Sequence, residues 1–321
     1  MTALDERRPF LRRTGLAAGI TRHRLDGPGF HRLFGTVRVS GEVPLTPSLR
    51  AAGALLLVPD AVVSHHTAAQ MLGGVVPETE HTHLTVTRPE GRRRRPGLRC
   101  HVRPAGRTHQ VGGVRVTSPE QTFTDLATHL TLVDLVVLGD SLVHREVTTP
   151  DRLLDAAART RGPGAALARR GAGLVRRRVE SAMETRSRLL LTFGGLPEPR
   201  VNEWVADDQG RPRYRLDLPY PQLRLAFEYD GRHHAEDPAQ WAWDVARREW
   251  LDGRGWRLIV LRSPDIYVTP WATVHRARDA LAQRGFDVEL PRHAPPEFSR
   301  HFPGRRNRSA GPATGAVRRG A

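Results

Sequence analysis

The chain has 321 residues, enough for about two domains of roughly 150 residues each. Hydrophobic residues make up 39% and charged residues 26% of the chain. No apolar run approaches the roughly 18 residues of a membrane span, so we expect a soluble globular protein with no membrane partner. The formal net charge is +16 and all 50 basic residues are arginine. This excess favours a polyanionic partner such as DNA, although GC-rich coding also enriches arginine.

The cysteine content and the N-terminus indicate the compartment. The single cysteine, Cys100, excludes an internal disulfide framework and a cysteine-based zinc site. Paired arginines precede a short apolar stretch at 15–20, as in an export signal. However, the polar residues 21–24 end this stretch early, and no small-residue cleavage site follows. We therefore expect a cytoplasmic protein.

The first half of the chain predicts an α+β region. Residues 1–50 are typical of a degenerate winged-helix-like piece that ends in a strand over 33–39, and residues 51–170 of an α+β middle region. The predicted elements of this middle region are a helix over 64–73, strands at 83–87, 98–102 and 114–117, a helix that begins after Ser118 and continues as a packed pair to about 142, and a helix over 150–159.

A Gly-, Ala- and Arg-rich stretch over 161–178 predicts a domain boundary, and we place the second domain at 171–291. Its predicted elements are a helix over 181–193, strands at 201–206, 214–218 and 223–229, a helix over 238–253, a strand at 257–261 and a helix over 270–284. The order α-β-β-β-α-β-α predicts an α/β core. Residues 292–321 are rich in Pro, Gly and Arg, and we expect a disordered basic tail.

Acidic side chains cluster where two of these strands end. Glu228 and Asp230 alternate along one strand and therefore share a face. If that strand pairs with the preceding one as a hairpin, Asp217 comes close to Glu228, and their repulsion requires a cation or a proton between them. Oxygen ligands suit Mg²⁺ or Mn²⁺, and His234 follows closely. A single acid on a strand is ordinary surface chemistry; the group as a whole favours a metal site.

Several other side chains admit two interpretations. Glu184 is a further candidate acid on the helix before the sheet, but with Arg188 it also makes an ordinary i,i+4 surface pair. Asp244 and Arg247, three residues apart on a later helix, allow the same two interpretations. The tryptophans of the second domain can stack bases, although their helical spacing is more typical of packing.

The ordered set of motifs in the second half resembles the endonuclease-like domain of domain-of-unknown-function family 559. That family is related to very-short-patch-repair endonucleases and to the PD-(D/E)XK restriction-endonuclease-like fold. The motifs are 181–184, 195–199, 216–221, 228–231 with His234, Asp244 with Arg247 and Arg248, and 255–257. More loosely, residues 8–10, 63–69 and 116–122 are similar to N-terminal modules of the AbiEi-like antitoxin type.

The resemblance implies cleavage of a phosphodiester bond by a metal-dependent enzyme. Asp217 and Glu228 would hold Mg²⁺, and Glu184 would be the helical acid that orients water or the ion. Asp230 stands where this fold usually has lysine, and the chain contains no lysine. Arginine cannot act as a general base because its pKa is too high. Proton acceptance would therefore fall to Asp230 or His234.

Two functions follow as hypotheses. The first is a Mg²⁺- or Mn²⁺-dependent DNA endonuclease of the restriction or repair type, with Asp217, Glu228, Asp230, Glu184 and His234 as catalytic residues. The second is a DNA-binding regulator or antitoxin-like protein that retains an inactive nuclease fold. For either function the candidate nucleic-acid contacts are Arg232, His233, Arg247, Arg92, Arg93, Arg94 and Arg95. A homodimer is compatible with the sequence.

Overall fold

The computed structural model describes residues 4–104, 106–231 and 238–305. It divides the chain into two compact units, Met1–Thr185 and Arg186–Ala321. Both contain helices and small sheets, so the protein is mixed α and β, as the sequence predicts. None of the described helices combines the length and apolar character that a membrane crossing requires.

The first unit contains eight strands and eight helices within the described residues. In chain order these are β1 (Phe10–Leu11), α1 (Arg12–Ala17), α2 (Arg22–Asp26), β2 (Phe30–Leu33), β3 (Val37–Ser40), α3 (Pro47–Leu55), β4 (Val62–Val63), α4 (His65–Met71), β5 (Thr82–Val86), β6 (Leu98–Val102), β7 (Thr108–Val111), β8 (Val114–Thr117), α5 (Pro119–Leu126), α6 (Leu132–His144), α7 (Pro150–Arg159) and α8 (Ala165–Leu174).

The N-terminal piece contains a hairpin where the sequence predicted one strand. Phe34 and Gly35 adopt left-handed φ angles of 48° and 85°, which ends β2 and turns the chain back into β3. Arg38 on β3 is 1% exposed, and its guanidinium donates to the carbonyl oxygens of Leu25 (2.8 Å), Gly35 (2.9 Å) and Val37 (3.1 Å). This buried side chain thereby ties the helices of the piece to its sheet.

A five-stranded sheet with the order β6-β5-β4-β8-β7 forms the centre of the first unit. β5 pairs with β6 in parallel, and β4 pairs with β8 in parallel, while β4 with β5 and β7 with β8 are antiparallel. α4 begins directly after β4, so its first residues lie next to β5. This order brings residues that are far apart in the chain to one region of the sheet.

The predicted domain boundary falls inside a helix of the first unit. α8 lies within the stretch interpreted as a linker, but Ala168, Gly171 and Ala172 are buried, because α8 packs on α6 and α7. The contact is close: a Cβ atom at Gly139 of α6 would overlap the side chain of Val175. The first unit therefore extends to Thr185, beyond the predicted boundary at 171.

The second unit carries the acidic residues that the sequence singled out. Its elements are α9 (Ala182–Phe193, which begins within the first unit), β9 (Glu203–Ala206), β10 (Pro212–Leu216), β11 (Leu218–Tyr220), β12 (Leu225–Tyr229), α10 (Pro238–Asp252), β13 (Arg257–Leu261), α11 (Ser263–Tyr267), α12 (Pro270–Ala282) and α13 (Pro296–His301).

Two small sheets form this unit. β9 and β10 make an antiparallel hairpin, and a second sheet has the order β11-β12-β13, antiparallel and then parallel, with α10 as the crossover between β12 and β13. The tail prediction is wrong for its first part, because Phe298 and Phe302 are buried and α13 is helical. The rest of that tail, 306–321, lies outside the described residues.

Candidate functional site

Asp217 and Glu228 lie side by side at the ends of adjacent strands. The predicted hairpin forms, but with β11 rather than β10, since β10 pairs with β9 and the chain breaks at Asp217. The antiparallel register aligns Leu218 with Phe227, which places Asp217 opposite Glu228. The backbone N–H of Tyr229 donates to Oδ2 of Asp217 at 3.2 Å. The expected approach of the two acids is therefore present.

Glu228 is held by an arginine from the crossover helix. Arg247 of α10 donates from Nη1 to Oε2 of Glu228 at 3.0 Å and from Nη2 to Oε1, so both carboxylate oxygens are engaged. Nη2 also donates to the carbonyl oxygen of Arg215 at 3.1 Å. The side chains of Arg247 and Glu228 are only 16% and 15% exposed. Such a two-point pair is stronger than a typical surface ion pair.

These residues line a cleft of about 570 Å³ in the second unit. Four carboxylates and four arginines face it together with aromatic rings. The charged and aromatic lining residues are Asp217, Glu228, Asp230, Asp244, Arg213, Arg215, Arg247, Arg248, Trp204, Tyr214, Tyr229 and Trp243. The cleft therefore combines oxygen ligands for a hard cation with guanidinium groups for phosphate.

The tryptophans divide into two groups. Trp250 and Trp256 pack on the apolar cluster that includes Leu216 and Leu251, as their helical spacing indicated. Trp204 and Trp243 are about half exposed and line the cleft. The rings of Trp243 and Tyr214 make an edge-to-face contact with centroids 5.7 Å apart. Exposed aromatic faces of this kind can stack on nucleobases.

The remaining predicted site residues are distributed more widely. Glu184 lies on the first turn of α9 within the first unit, where its Oε2 accepts the backbone N–H of Glu180 at 3.0 Å. His234, Arg232 and His233 lie outside the described residues. The structure therefore brings together Asp217, Glu228, Asp230, Asp244 and Arg247.

The predicted arginine patch belongs to the first unit. Arg92, Arg93, Arg94 and Arg95 lie in the exposed turn before β6 and line a shallow depression of about 440 Å³ together with Arg99. The Arg93 guanidinium donates to the carbonyl oxygens of Glu90 and Arg92, which keeps part of the turn folded on itself. This patch offers several guanidinium groups to a phosphate backbone.

Sequence reasoning missed a cluster of histidines in the first unit, which we call the imidazole cluster: His65, His66, His83, His101 and His129. The rings of His65 and His101 stack with centroids 3.6 Å apart, and Nδ1 of His83 lies 3.0 Å from Nε2 of His101. Among the described residues, three members provide ligand atoms within 4.8 Å of one another, namely His65, His101 and His129. No set of three cleft carboxylates meets this distance.

Burial keeps the imidazole cluster neutral at physiological pH. Burial is the largest influence on each ring: it lowers the pKa of His65 to about 2, that of His83 to about 3 and that of His101 to about 4. The neighbouring imidazoles lower these pKa values further. The pKa values of His66 and His129 are lowered in the same direction, again chiefly by burial. The only sequence signal was density, since seven of the 15 histidines lie between positions 65 and 129.

Comparisons with known proteins place this chain near mycobacterial relatives. No protein-family model matches the chain. The uncharacterized proteins MT2308 and Rv2248, from two strains of Mycobacterium tuberculosis, are each 29% identical to it over 258 residues, which are 78% of this chain and 93% of each relative. The crystal structure of the RV2827C protein from the same species covers 57% of this chain and 76% of its own, with 14% identity and a TM-score of 0.37. A likeness that weak carries no argument about the fold. The chain is thus similar to uncharacterized mycobacterial proteins over most of its length.

Proposed function

We propose that the cleft of the second unit binds a DNA backbone and hydrolyses phosphodiester bonds with Mg²⁺ or Mn²⁺. The observation that carries this proposal is the register that sets Asp217 opposite Glu228 inside a cleft lined by four arginines. Two like charges at such a position are costly unless a cation compensates them. Placing a polyanion beside carboxylates likewise requires a cation between them.

The residues fit a divalent ion with one condition. Mg²⁺ keeps several water ligands and is commonly bound by one or two carboxylates plus substrate phosphate, so Asp217 and Glu228 suffice without a third acid. In this structure the Arg247 guanidinium already neutralises Glu228. Ion binding therefore requires Arg247 to release the carboxylate, which makes its guanidinium available to a phosphate oxygen. A bound ion would supply an acidic water and polarise the phosphoryl group.

The chain's own residues would do the rest of the work. Arg247 and Arg215 face the same cleft as the acids and can hold a phosphate from two sides. Asp230, two residues beyond Glu228 on the same face, would accept a proton from the attacking water in place of the absent lysine. Trp204 and Trp243 would stack on bases next to the scissile bond.

A plasmid-nicking assay tests this proposal. Purified protein is incubated with supercoiled plasmid and Mg²⁺ or Mn²⁺, in parallel with Asp217→Asn and Glu228→Gln, which preserve shape and remove charge. We expect each variant to lose activity by about 10²-fold or more. Glu249→Gln, an exposed acid on the same helix as Arg247, is the matched control and should nick like the wild type. Equal nicking by the wild type and Asp217→Asn would refute the proposal.

The Glu228–Arg247 pair also favours a second candidate, a DNA-binding regulator without cleavage. In that function the two-point ion pair is permanent, and it stabilises the unit rather than yielding to a metal ion. The arginine patch at 92–95 would then supply the phosphate contacts. Replacing these four arginines with glutamine should reduce the dependence of log K on log salt by up to about 0.9 per lost contact. An unchanged slope in a gel-shift series, together with efficient nicking, would exclude this candidate.

A further inference from the structure

We propose that the imidazole cluster of the first unit binds one divalent transition-metal ion of the zinc class through His65, His101 and His129. The ligand atoms of these three side chains lie within 4.8 Å of one another. Imidazole nitrogens about 2.0–2.1 Å from a shared zinc ion can lie no more than twice that bond length apart, so only small side-chain movements are needed. This site is separate in residues and in chemistry from the carboxylate cleft, and the inference does not depend on the proposed function.

Three different elements deliver the ligands. His65 begins α4 directly after β4, His101 lies on β6, and His129 lies between α5 and α6. The parallel register aligns His101 with Thr85 and therefore sets it diagonally from His83 on β5. Because each ligand comes from a different part of the folded unit, the arrangement is fixed by the tertiary structure rather than by a flexible local segment.

Hydrogen bonds at the far side of two rings leave the correct nitrogen free. Nδ1 of His65 lies 2.9 Å from Oγ of Ser64, and Nδ1 of His129 lies 2.8 Å from Oγ1 of Thr128 and 3.4 Å from the carbonyl oxygen of Asp125. A ring that donates through Nδ1 presents the lone pair of Nε2. Histidines that bind metals in proteins almost always make such a second hydrogen bond, which fixes the tautomer and orients the ring.

The surroundings keep imidazole lone pairs available. His66 Nδ1 and His83 Nε2 are buried and make no hydrogen bond within the described part of the chain. Buried polar atoms usually have a partner, so unsatisfied ring nitrogens next to the three ligands are themselves unusual. The rings are neutral at pH 7 because burial lowers their pKa values, and only a neutral imidazole can bind a metal ion.

The backbone at His65 is held in an uncommon conformation. Its φ angle is 50°, in the left-handed region, although the residue is not glycine. Such a conformation costs of order 1–3 kcal/mol and persists only where the surroundings enforce it. Here it turns the chain from the extended Ser64 into α4. Oγ of Ser64 also accepts from Oγ1 of Thr85 at 2.8 Å, which anchors this turn to the sheet.

The ligand set selects the metal. Three neutral nitrogen ligands suit Zn²⁺, Ni²⁺, Cu²⁺ or Fe²⁺, whereas Mg²⁺ and Ca²⁺ prefer oxygen. A site with three histidines resembles catalytic rather than structural zinc sites, because the fourth position remains for water. His129 is exposed and His101 is partly exposed, so that position faces the side of the cluster that solvent can reach.

Zinc titration of the full-length protein tests the inference. After treatment with EDTA and its removal, ZnCl₂ is titrated by isothermal calorimetry, and MgCl₂ serves as the comparison. We expect one Zn²⁺ per chain at this site and no response of the site to Mg²⁺. His129→Ala and His101→Gln should each weaken Zn²⁺ binding by at least about tenfold. His129 is exposed outside helices and strands, so its replacement leaves the core unchanged, and circular dichroism verifies the fold.

Two controls distinguish this site from other metal binding. His109→Ala removes an exposed histidine of β7 and should leave Zn²⁺ binding unchanged. Asp217→Asn alters the carboxylate cleft and should leave it unchanged as well, so failure of the nuclease proposal does not affect this test. Absence of Zn²⁺ binding by the wild type would overturn the inference. Equal Zn²⁺ affinity of the wild type, His129→Ala and His101→Gln would overturn it too.

Discussion

The imidazole cluster should make the first unit sensitive to mild acid when no metal is bound. His65 and His83 are buried, with pKa values of about 2 and about 3 in the folded protein. In the unfolded chain a histidine has a pKa of about 6.5. Below pH 6.5 the unfolded state therefore binds protons that the folded state does not bind. Stability is fully present above pH 6.5 and decreases as the pH falls towards the folded-state values.

The size of the effect follows from proton linkage. One proton bound only by the unfolded state changes the free energy of unfolding by about 1.4 kcal/mol per pH unit. Between pH 7.5 and pH 5.5 each of the two histidines therefore lowers the free energy of unfolding by about 1.4 kcal/mol, or roughly 3 kcal/mol together. Since whole domains are stable by only about 5–15 kcal/mol, this loss is large.

The distribution of aromatic residues allows the two units to be measured separately. All six tryptophans and all four tyrosines lie at or beyond Trp204, so tryptophan fluorescence reports only on the second unit. Urea unfolding with EDTA is followed by far-ultraviolet circular dichroism and by fluorescence at pH 7.5, 6.5 and 5.5. We expect the part of the dichroism transition without a fluorescence counterpart to shift to lower urea in acid.

A pair of variants isolates the histidine contribution. His83→Asn should reduce the pH slope of stability by about 1.4 kcal/mol per pH unit below pH 6, even if it also lowers stability at every pH. His109→Asn, an exposed residue, should leave the slope unchanged. A free energy of unfolding of the first unit that is equal at pH 7.5 and 5.5 would refute the reasoning.

Three further predictions concern packing and the cleft. Gly139→Ala should lower the free energy of unfolding by about 1–3 kcal/mol in urea denaturation, because the added methyl group overlaps a neighbouring valine; Gly173→Ala, in open space on α8, should instead raise it by up to about 1 kcal/mol. Arg38→Lys should destabilise the protein by about 2–4 kcal/mol, because an ammonium group cannot replace the fork that reaches three carbonyl oxygens; a stability equal to that of the wild type would contradict the role of the fork. Arg247→Gln should increase the affinity of the cleft for Mn²⁺, followed by quenching of tryptophan fluorescence, because it frees Glu228; unchanged affinity would argue against a metal-binding role of that carboxylate.

Much of the local structure was predictable because its causes are local. α7 begins at Pro150, as predicted, because Thr149 accepts the backbone N–H of Arg152 and the proline ring favours the first helical turn. α5 begins after Ser118 for the same reasons. The approach of Asp217 to Glu228 was also predictable, since a hairpin register follows from alternation and turn position.

Other predictions failed where several segments compete. Composition alone suggested a linker at 161–178, but small residues of α8 pack closely on α6 and α7, so the helix belongs to the first unit. A single strand was predicted over 33–39, whereas Gly35 permits the turn that splits it into β2 and β3. β10 pairs with β9 rather than continuing towards Glu228, because the chain breaks at Asp217.

The sequence by itself determined an arginine-only, strongly basic chain, the positions of most helices and strands, and the pairing that brings two acids together. Only the tertiary structure decided that Arg247 binds both oxygens of Glu228 and that His65, His101 and His129 converge. The physical reason is that these contacts depend on the order of strands in a sheet and on the path of a crossover helix. Capping, alternation and turn chemistry act over a few residues, whereas the imidazole cluster joins positions from 65 to 129.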